Sequence, residues 1–306
     1  MGAPTAVRKD SLSSRGSRAL PIETAAITDE FSPDLDVALD AMAQLGMTGA
    51  ELRIVAGRNI IELSDAEIER ARASVESRGL KIISIASPLL KCVLPDAPPL
   101  DPRVQYDVFG SSQTFDGQPR LARRALEIAE RSGARIIRVF SYWRTVDPAR
   151  CFDRVVAALR ELAEQAGDRG LVIGLENEHA CNVATGEETG RLLAALDHPA
   201  LKAIWDPANA FVMGETAYPD GYAKLPVDRV VHVHAKDCYV RDHKPTWGPL
   251  GEMGLDWKGQ IGALARDGYH GWISLETHWT GPNGDKFEAS SICGRNLRAL
   301  VEAVTS

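Results

Sequence analysis

Eight times between residues 22 and 304, a short apolar run is followed by an amphipathic stretch at helical spacing. That order is the pattern of repeated βα units. Candidate strands lie near 24–27, 49–54, 81–86, 135–140, 171–175, 201–205, 230–234 and 272–275. Candidate helices fall near 33–45, 64–78, 118–132, 148–168, 185–196, a weakly marked 218–225, 257–267 and 287–304. Gly46, Gly79, Gly133, Gly170 and Gly268 follow five of these helices, where a left-handed C-terminal residue is expected. No GxGxxG follows the first strand, so an open dinucleotide-binding sheet loses its main support. The expected fold is α/β, a single (β/α)8 TIM barrel over residues 21–306 with its active site at the C-terminal rim. Residues 1–20, basic and serine-rich without an apolar segment, are expected to be a disordered leader.

The long connections, 87–117, 141–147, 176–186, 206–220, 237–255 and 277–286, all follow strands. In a barrel that is the rim where active sites are built. Four of them open beside a metal-binding side chain: Glu176 in Leu175-Glu-Asn-Glu-His, Asp206 in Trp205-Asp-Pro-Ala-Asn, His234 in His232-Val-His-Ala-Lys-Asp, and Glu276 in Ser274-Leu-Glu-Thr-His. If the preceding apolar runs are neighbouring strands, their ends converge. Three carboxylates and one imidazole then form an oxygen-rich set suited to one divalent cation with open positions. His232 is expected on the opposite face from His234, as a hydrogen-bonded core residue. The segment 245–254, rich in Pro, Gly and Trp, either orders over the site or is a surface excursion.

Composition narrows the partners. The net charge of −7 supplies no electrostatic footprint for a nucleic-acid backbone, so a small polar substrate is expected and no nucleic acid. No apolar run is long enough for a bilayer, so no membrane is expected either. Five scattered cysteines without a CxxC spacing read as reduced thiols in a cytoplasmic protein. Homo-oligomerisation stays open.

The segments Gly174-Leu-Glu-Asn, Trp205-Asp-Pro-Ala-Asn, His232-Val-His-Ala-Lys-Asp and Gly268-Tyr-His-Gly-Trp-Ile-Ser-Leu-Glu resemble the xylose-isomerase-like sugar isomerase and epimerase superfamily. That superfamily also includes endonuclease IV, inosose dehydratases, hydroxypyruvate isomerases and ketose 3-epimerases. The resemblance implies a (β/α)8 barrel and a divalent metal on Glu176, Asp206, His234 and Glu276. It also implies that Glu176 and Glu276 act as acid and base. Endonuclease IV and the ketose 3-epimerases carry histidine three residues after the aspartate ligand. Here that residue is Asn209, which argues against the three-metal nuclease and weakens the link to the 3-epimerases.

A metal held by this set polarises a chelating carbonyl and hydroxyl, and a neighbouring carboxylate removes the acidified C–H proton. The leading expectation is a sugar or keto-sugar isomerase or epimerase working through a metal-bound enediolate. Its alternative is a lyase: inosose-dehydratase-like dehydration, or β-elimination from a 3-keto-glycoside, with His179 as acid. A non-catalytic sugar-binding barrel stands as a different class. Mn²⁺ is the first choice of metal, with Mg²⁺, Co²⁺, Fe²⁺ and Zn²⁺ open. Substrate contacts are expected from His179, Lys236, Arg53, Asn209 and Trp279, with Lys91, Trp143 and Trp247 as weaker candidates. For Lys236, pairing with Asp237 is the structural alternative.

Overall fold

The computed structural model describes residues 22–106 and 113–305. The expected leader and the middle of the 87–117 connection lie outside the described residues. Eight parallel strands close into one barrel: β1 (Glu23–Ile27), β2 (Gly49–Leu52), β5 (Lys81–Leu89), β6 (Ile136–Val139), β7 (Val172–Glu176), β8 (Leu201–Trp205), β9 (Val230–Ala235) and β12 (Trp272–Leu275). The order around it is β1-β12-β9-β8-β7-β6-β5-β2, so each strand pairs with its neighbour in the βα series. Two antiparallel hairpins sit on connections, β3 (Ile54–Val55) with β4 (Arg58–Asn59), and β10 (Asp237–Arg241) with β11 (Lys244–Gly248).

The helices are α1 (Leu35–Gln44), α2 (Asp65–Ser77), α3 (Gln118–Ser132), α4 (Phe152–Gly167), α5 (Gly186–Ala195), α6 (Pro207–Val212), α7 (Trp257–Arg266) and α8 (Lys286–Thr305). Their local signals are legible. Asp34 accepts from the N–H groups of Asp36 and Val37 to start α1, and Ser64 with Glu67 forms a capping box on α2. The five glycines expected after helices all have positive φ. Leu39, Met42, Ile68, Leu126, Leu159 and Leu264 come from the apolar faces of these helices and pack against strand residues such as Ile85, Leu175 and Ile273 in one continuous core.

The sixth helical segment differs from expectation. Residues 217–224 form short irregular turns, and the regular element is α6, begun earlier by Asp206. Asp206 Oδ1 accepts from Asn209 N–H at 2.9 Å, and Pro207 occupies the first turn, where its missing N–H costs nothing. On β7, a Cβ at Gly174 would sit 2.7 Å from Ile204 and 3.0 Å from Ile136. Residues two apart share a strand face, so glycine here lets both isoleucines close the barrel interior just before Glu176.

Candidate metal centre

Glu176 ends β7, Asp206 follows β8, His234 lies near the end of β9, and Glu276 follows β12. These ends meet at one rim. One ligand atom from each of the four lies within 4.8 Å of those of the others, and all four residues are buried. His234 Nδ1 stands 3.1 Å from Glu176 Oε1 and 3.7 Å from Glu276 Oε2.

His234 is aimed from behind. Its Nε2 lies 3.2 Å from Glu51 Oε1, and Glu51, on β2, also accepts from His232 Nε2 at 2.6 Å. This corrects the expectation that the two histidines face opposite ways: residues two apart on a strand share a face, and both imidazoles turn into the barrel toward one carboxylate. His232 is nonetheless fully buried and hydrogen-bonded. A carboxylate on the far nitrogen fixes the tautomer that leaves Nδ1 for a metal.

Three cations thread through the acidic cluster. Lys236 Nζ is 2.8 Å from both Asp206 Oδ2 and Glu276 Oε2. Arg53 reaches Glu276 at 2.7 Å, Glu30 at 2.5 Å and Asp29 at 2.9 Å, while Arg138 lies 3.3 Å from Glu176 Oε2. Lys236 therefore does not pair with Asp237, whose oxygens accept from the backbone N–H groups of Cys238, Gly251, Met253 and Leu255. That carboxylate orders the segment after the β10–β11 hairpin.

The protonation states follow from these neighbours. Burial alone would raise Glu276, but Lys236, His278 and His234 hold it well below the usual carboxylate range. Glu176 is lowered too, its burial outweighed by His234 and Arg138. Asp206 is raised, by burial and by the two neighbouring glutamates, against the pull of Lys236. Burial disfavours imidazolium at His234, yet Glu176 and Glu51 lift it well above its ordinary value.

A second cluster adjoins the first. His179 Nδ1 is 2.8 Å from Glu178 Oε1 and 2.9 Å from Asn209 Oδ1, and Asn209 Nδ2 donates to Glu176 Oε1 at 3.4 Å. Lys91 Nζ lies 3.4 Å from Glu178 Oε2 and over the rings of Phe140 and Trp143. Despite its burial His179 is raised, chiefly by Glu178. Across the site, β11 carries Trp247 over Lys236 (5.7 Å) and against His278 (4.9 Å), so the 245–254 segment orders over the centre. Trp279 instead packs against the main apolar core.

The structure thus brings His179, Lys236, Arg53 and Asn209 up to the four-residue cluster, and Trp247, the weaker candidate, stands over Lys236 there. Glu51, Glu30, Arg138 and His278 belong to the same neighbourhood and were missed. The signal for Glu51 and Arg138 was a charged residue inside an apolar strand run. The donor set fits a divalent cation. Three buried carboxylates converge with one imidazole, and one ligand atom from each lies within 4.8 Å of the others.

A family described as the xylose isomerase-like TIM barrel matches residues 39–297. An inosose dehydratase of Lactiplantibacillus plantarum is 28% identical over 168 residues, 48% of this chain and 53% of that protein. The chain thus spans about half the length of the curated relative it matches. Among solved structures, a probable 3-DHS dehydratase, AsbF, from Bacillus anthracis superposes with a TM-score of 0.69 at 19% identity, over 90% of this chain and 99% of that one. A D-psicose 3-epimerase crystallised with D-fructose superposes with a TM-score of 0.64 at 18% identity, over 93% and 99%. At these identities the superpositions speak to the fold.

Proposed function

Because this chain belongs to the xylose isomerase-like TIM barrel family, we propose that it is a divalent-metal-dependent enzyme that moves a proton beside the carbonyl of a sugar, keto-sugar or cyclic polyol. Glu176, Asp206, His234 and Glu276 would hold the ion, with Mn²⁺ our first choice. When bound, it supplies positive charge that polarises the substrate carbonyl. A cytoplasmic location is part of the proposal, and five buried thiols without a disulfide support it.

Within that class we favour β-elimination over isomerisation. The observation that carries this is an asymmetry between the two glutamates. Glu276 is pinned by Arg53 at 2.7 Å and Lys236 at 2.8 Å, which suits a fixed anionic ligand. Glu176 is met by Arg138 only at 3.3 Å, and besides His234 its hydrogen bonds lead through Asn209 to His179. In this reading Glu176 takes the C–H proton next to the carbonyl. Nδ1 of His179 is engaged by Glu178 and Asn209, so Nε2–H protonates the departing oxygen. The C–H and C–O bonds break, a C=C bond forms, and the oxygen leaves as water or an alcohol. Proton exchange with solvent then resets both groups. The dehydratase among the relatives agrees with this outcome.

The isomerase or epimerase reading keeps one observation of its own: both glutamates converge on the same centre, as a two-carboxylate proton exchange needs. Product NMR in deuterium oxide separates the two. Elimination predicts an unsaturated or deoxy product, and His179→Gln slows it about 10²- to 10⁴-fold with metal content unchanged. A rearranged sugar carrying solvent deuterium, made at an undiminished rate by that variant, would refute the elimination.

A further inference from the structure

The barrel has a second mouth, where its strands begin. A cavity of about 810 Å³ opens there. On β7, Val172 lines this mouth, Gly174 lies under the two isoleucines that close the interior, and Glu176 belongs to the metal centre, so cavity and centre stand at opposite ends of the barrel. Ile82, Ile136, Val230 and Trp272 join Val172 in an apolar wall. Four basic and three acidic side chains share the lining. Arg72 is paired with Glu76 at 2.7 Å, and Asp267 with Arg266 at 2.9 Å. Lys81, Arg135 and Lys202 have no carboxylate partner among the described residues. Lys81 Nζ lies over the Trp272 ring, 6.0 Å from its centre, and Lys202 Nζ donates to the backbone carbonyl of Asp228 at 3.4 Å. The Asp228 carboxylate is the remaining acid on the wall, so three positive charges less one negative leave an excess of two, on a chain whose net charge is −7.

An apolar wall facing water favours an occupant that removes it from water, and the volume falls in the range of about 300–1,000 Å³ in which small-molecule sites are built. An inorganic anion would meet the cations but leave that wall wet. A neutral apolar molecule would cover the wall but strip water from unpaired charges. A molecule with both parts answers both demands. We infer that this mouth binds a small amphipathic anion: an apolar or aromatic body against Val172, Val230 and Trp272, with one carboxylate- or sulfonate-type head held by Lys81, Arg135 and Lys202 through charge-assisted hydrogen bonds. The site takes no part in the reaction proposed above and does not depend on it.

The probe is anilinonaphthalenesulfonate, titrated by fluorescence into the full chain under native conditions. It should bind saturably, one per chain, at least about tenfold more tightly than N-phenylnaphthylamine, which has the same rings without the sulfonate. Decanoate should displace it, and an equal concentration of inorganic sulfate should not. Lys81 and Arg135 are exposed, so Lys81→Gln combined with Arg135→Gln leaves the core untouched. That pair should weaken the sulfonate at least about tenfold and leave the neutral probe within about twofold of wild type. Lys202→Gln, on another strand, should weaken the sulfonate independently. Adding a chelator should change nothing, because the metal centre lies at the other end. The inference is overturned by the absence of saturable binding, by equal affinity for the two probes, or by displacement with sulfate as effective as with decanoate. It is also overturned if the charge variants, with unaltered denaturation midpoints, bind the sulfonate as wild type does, or if chelation abolishes binding.

Discussion

Metal binding should expel one proton, and the proton should come from His234. Nδ1 of this buried imidazole is 3.1 Å from Glu176 and Nε2 is 3.2 Å from Glu51. Burial works against the imidazolium, but the two carboxylates raise its pKa well above 6.5. Ligation through Nδ1 requires that nitrogen to be bare while Nε2–H stays on Glu51. Lys236 is held well above its ordinary value by Asp206 and Glu276 against the effect of burial, so it contributes no proton to the release. Affinity should therefore rise about tenfold per pH unit, near 1.4 kcal/mol, wherever metal-free His234 is protonated. The sign is that of a raised base. Its contribution to the metal-free fold is complete below the unfolded value near 6.5 and is lost as pH climbs through the folded one, so metal loading gains over the same window. Titrating Mn²⁺ into chelator-stripped protein between about pH 6 and 8, in buffers of different ionisation enthalpy, counts the proton directly. A flat affinity with no proton release would refute the assignment, as would a release that persists in His234→Ala.

Other expectations are independent of that window. Glu51→Gln should weaken metal binding about 10- to 100-fold by releasing the far nitrogen of His234, and unchanged affinity would remove Glu51 from the centre. Asp206→Ala should lose metal and about 1 kcal/mol of stability, whereas Asp206→Asn, still a competent cap, should lose the metal but keep most of that stability in a denaturant titration. Gly174→Ala should cost roughly 1–3 kcal/mol, because its methyl would meet Ile204 at 2.7 Å, and an unaltered melting midpoint would contradict that packing. Leu39→Ala, which empties a buried position where α1 meets the core, should cost roughly 2–5 kcal/mol on the same measurement.

The strands and most helices could be read from the chain because apolar periodicity and glycine stops are local signals. The four positions of the candidate centre were readable for a related reason: barrel topology turns four strand ends into neighbours. What escaped was pairing across the barrel. Glu51 is a single carboxylate inside Gly49-Ala-Glu-Leu, and nothing local says that its partners lie 181 and 183 positions away. Arg53 was expected to greet substrate, yet three acids from two other segments claim it. Trp279 and Trp247 look alike as loop tryptophans, and only the β10–β11 hairpin register decides that Trp247 lies over Lys236. The first turn of α6 was hidden because its cap, Asp206, also belongs to the candidate metal centre.

That double use of Asp206 reaches beyond the present chain. One oxygen begins α6 on the Asn209 amide while the other faces Lys236 among the ligand carboxylates. A glutamate here would carry its charge one methylene farther, out of step with the helix start. A neutral cap would keep the helix and forfeit the charge. Substitution at this position therefore has almost no neutral route, whereas Glu176, His234 and Glu276, the other members of the cluster, begin no helix.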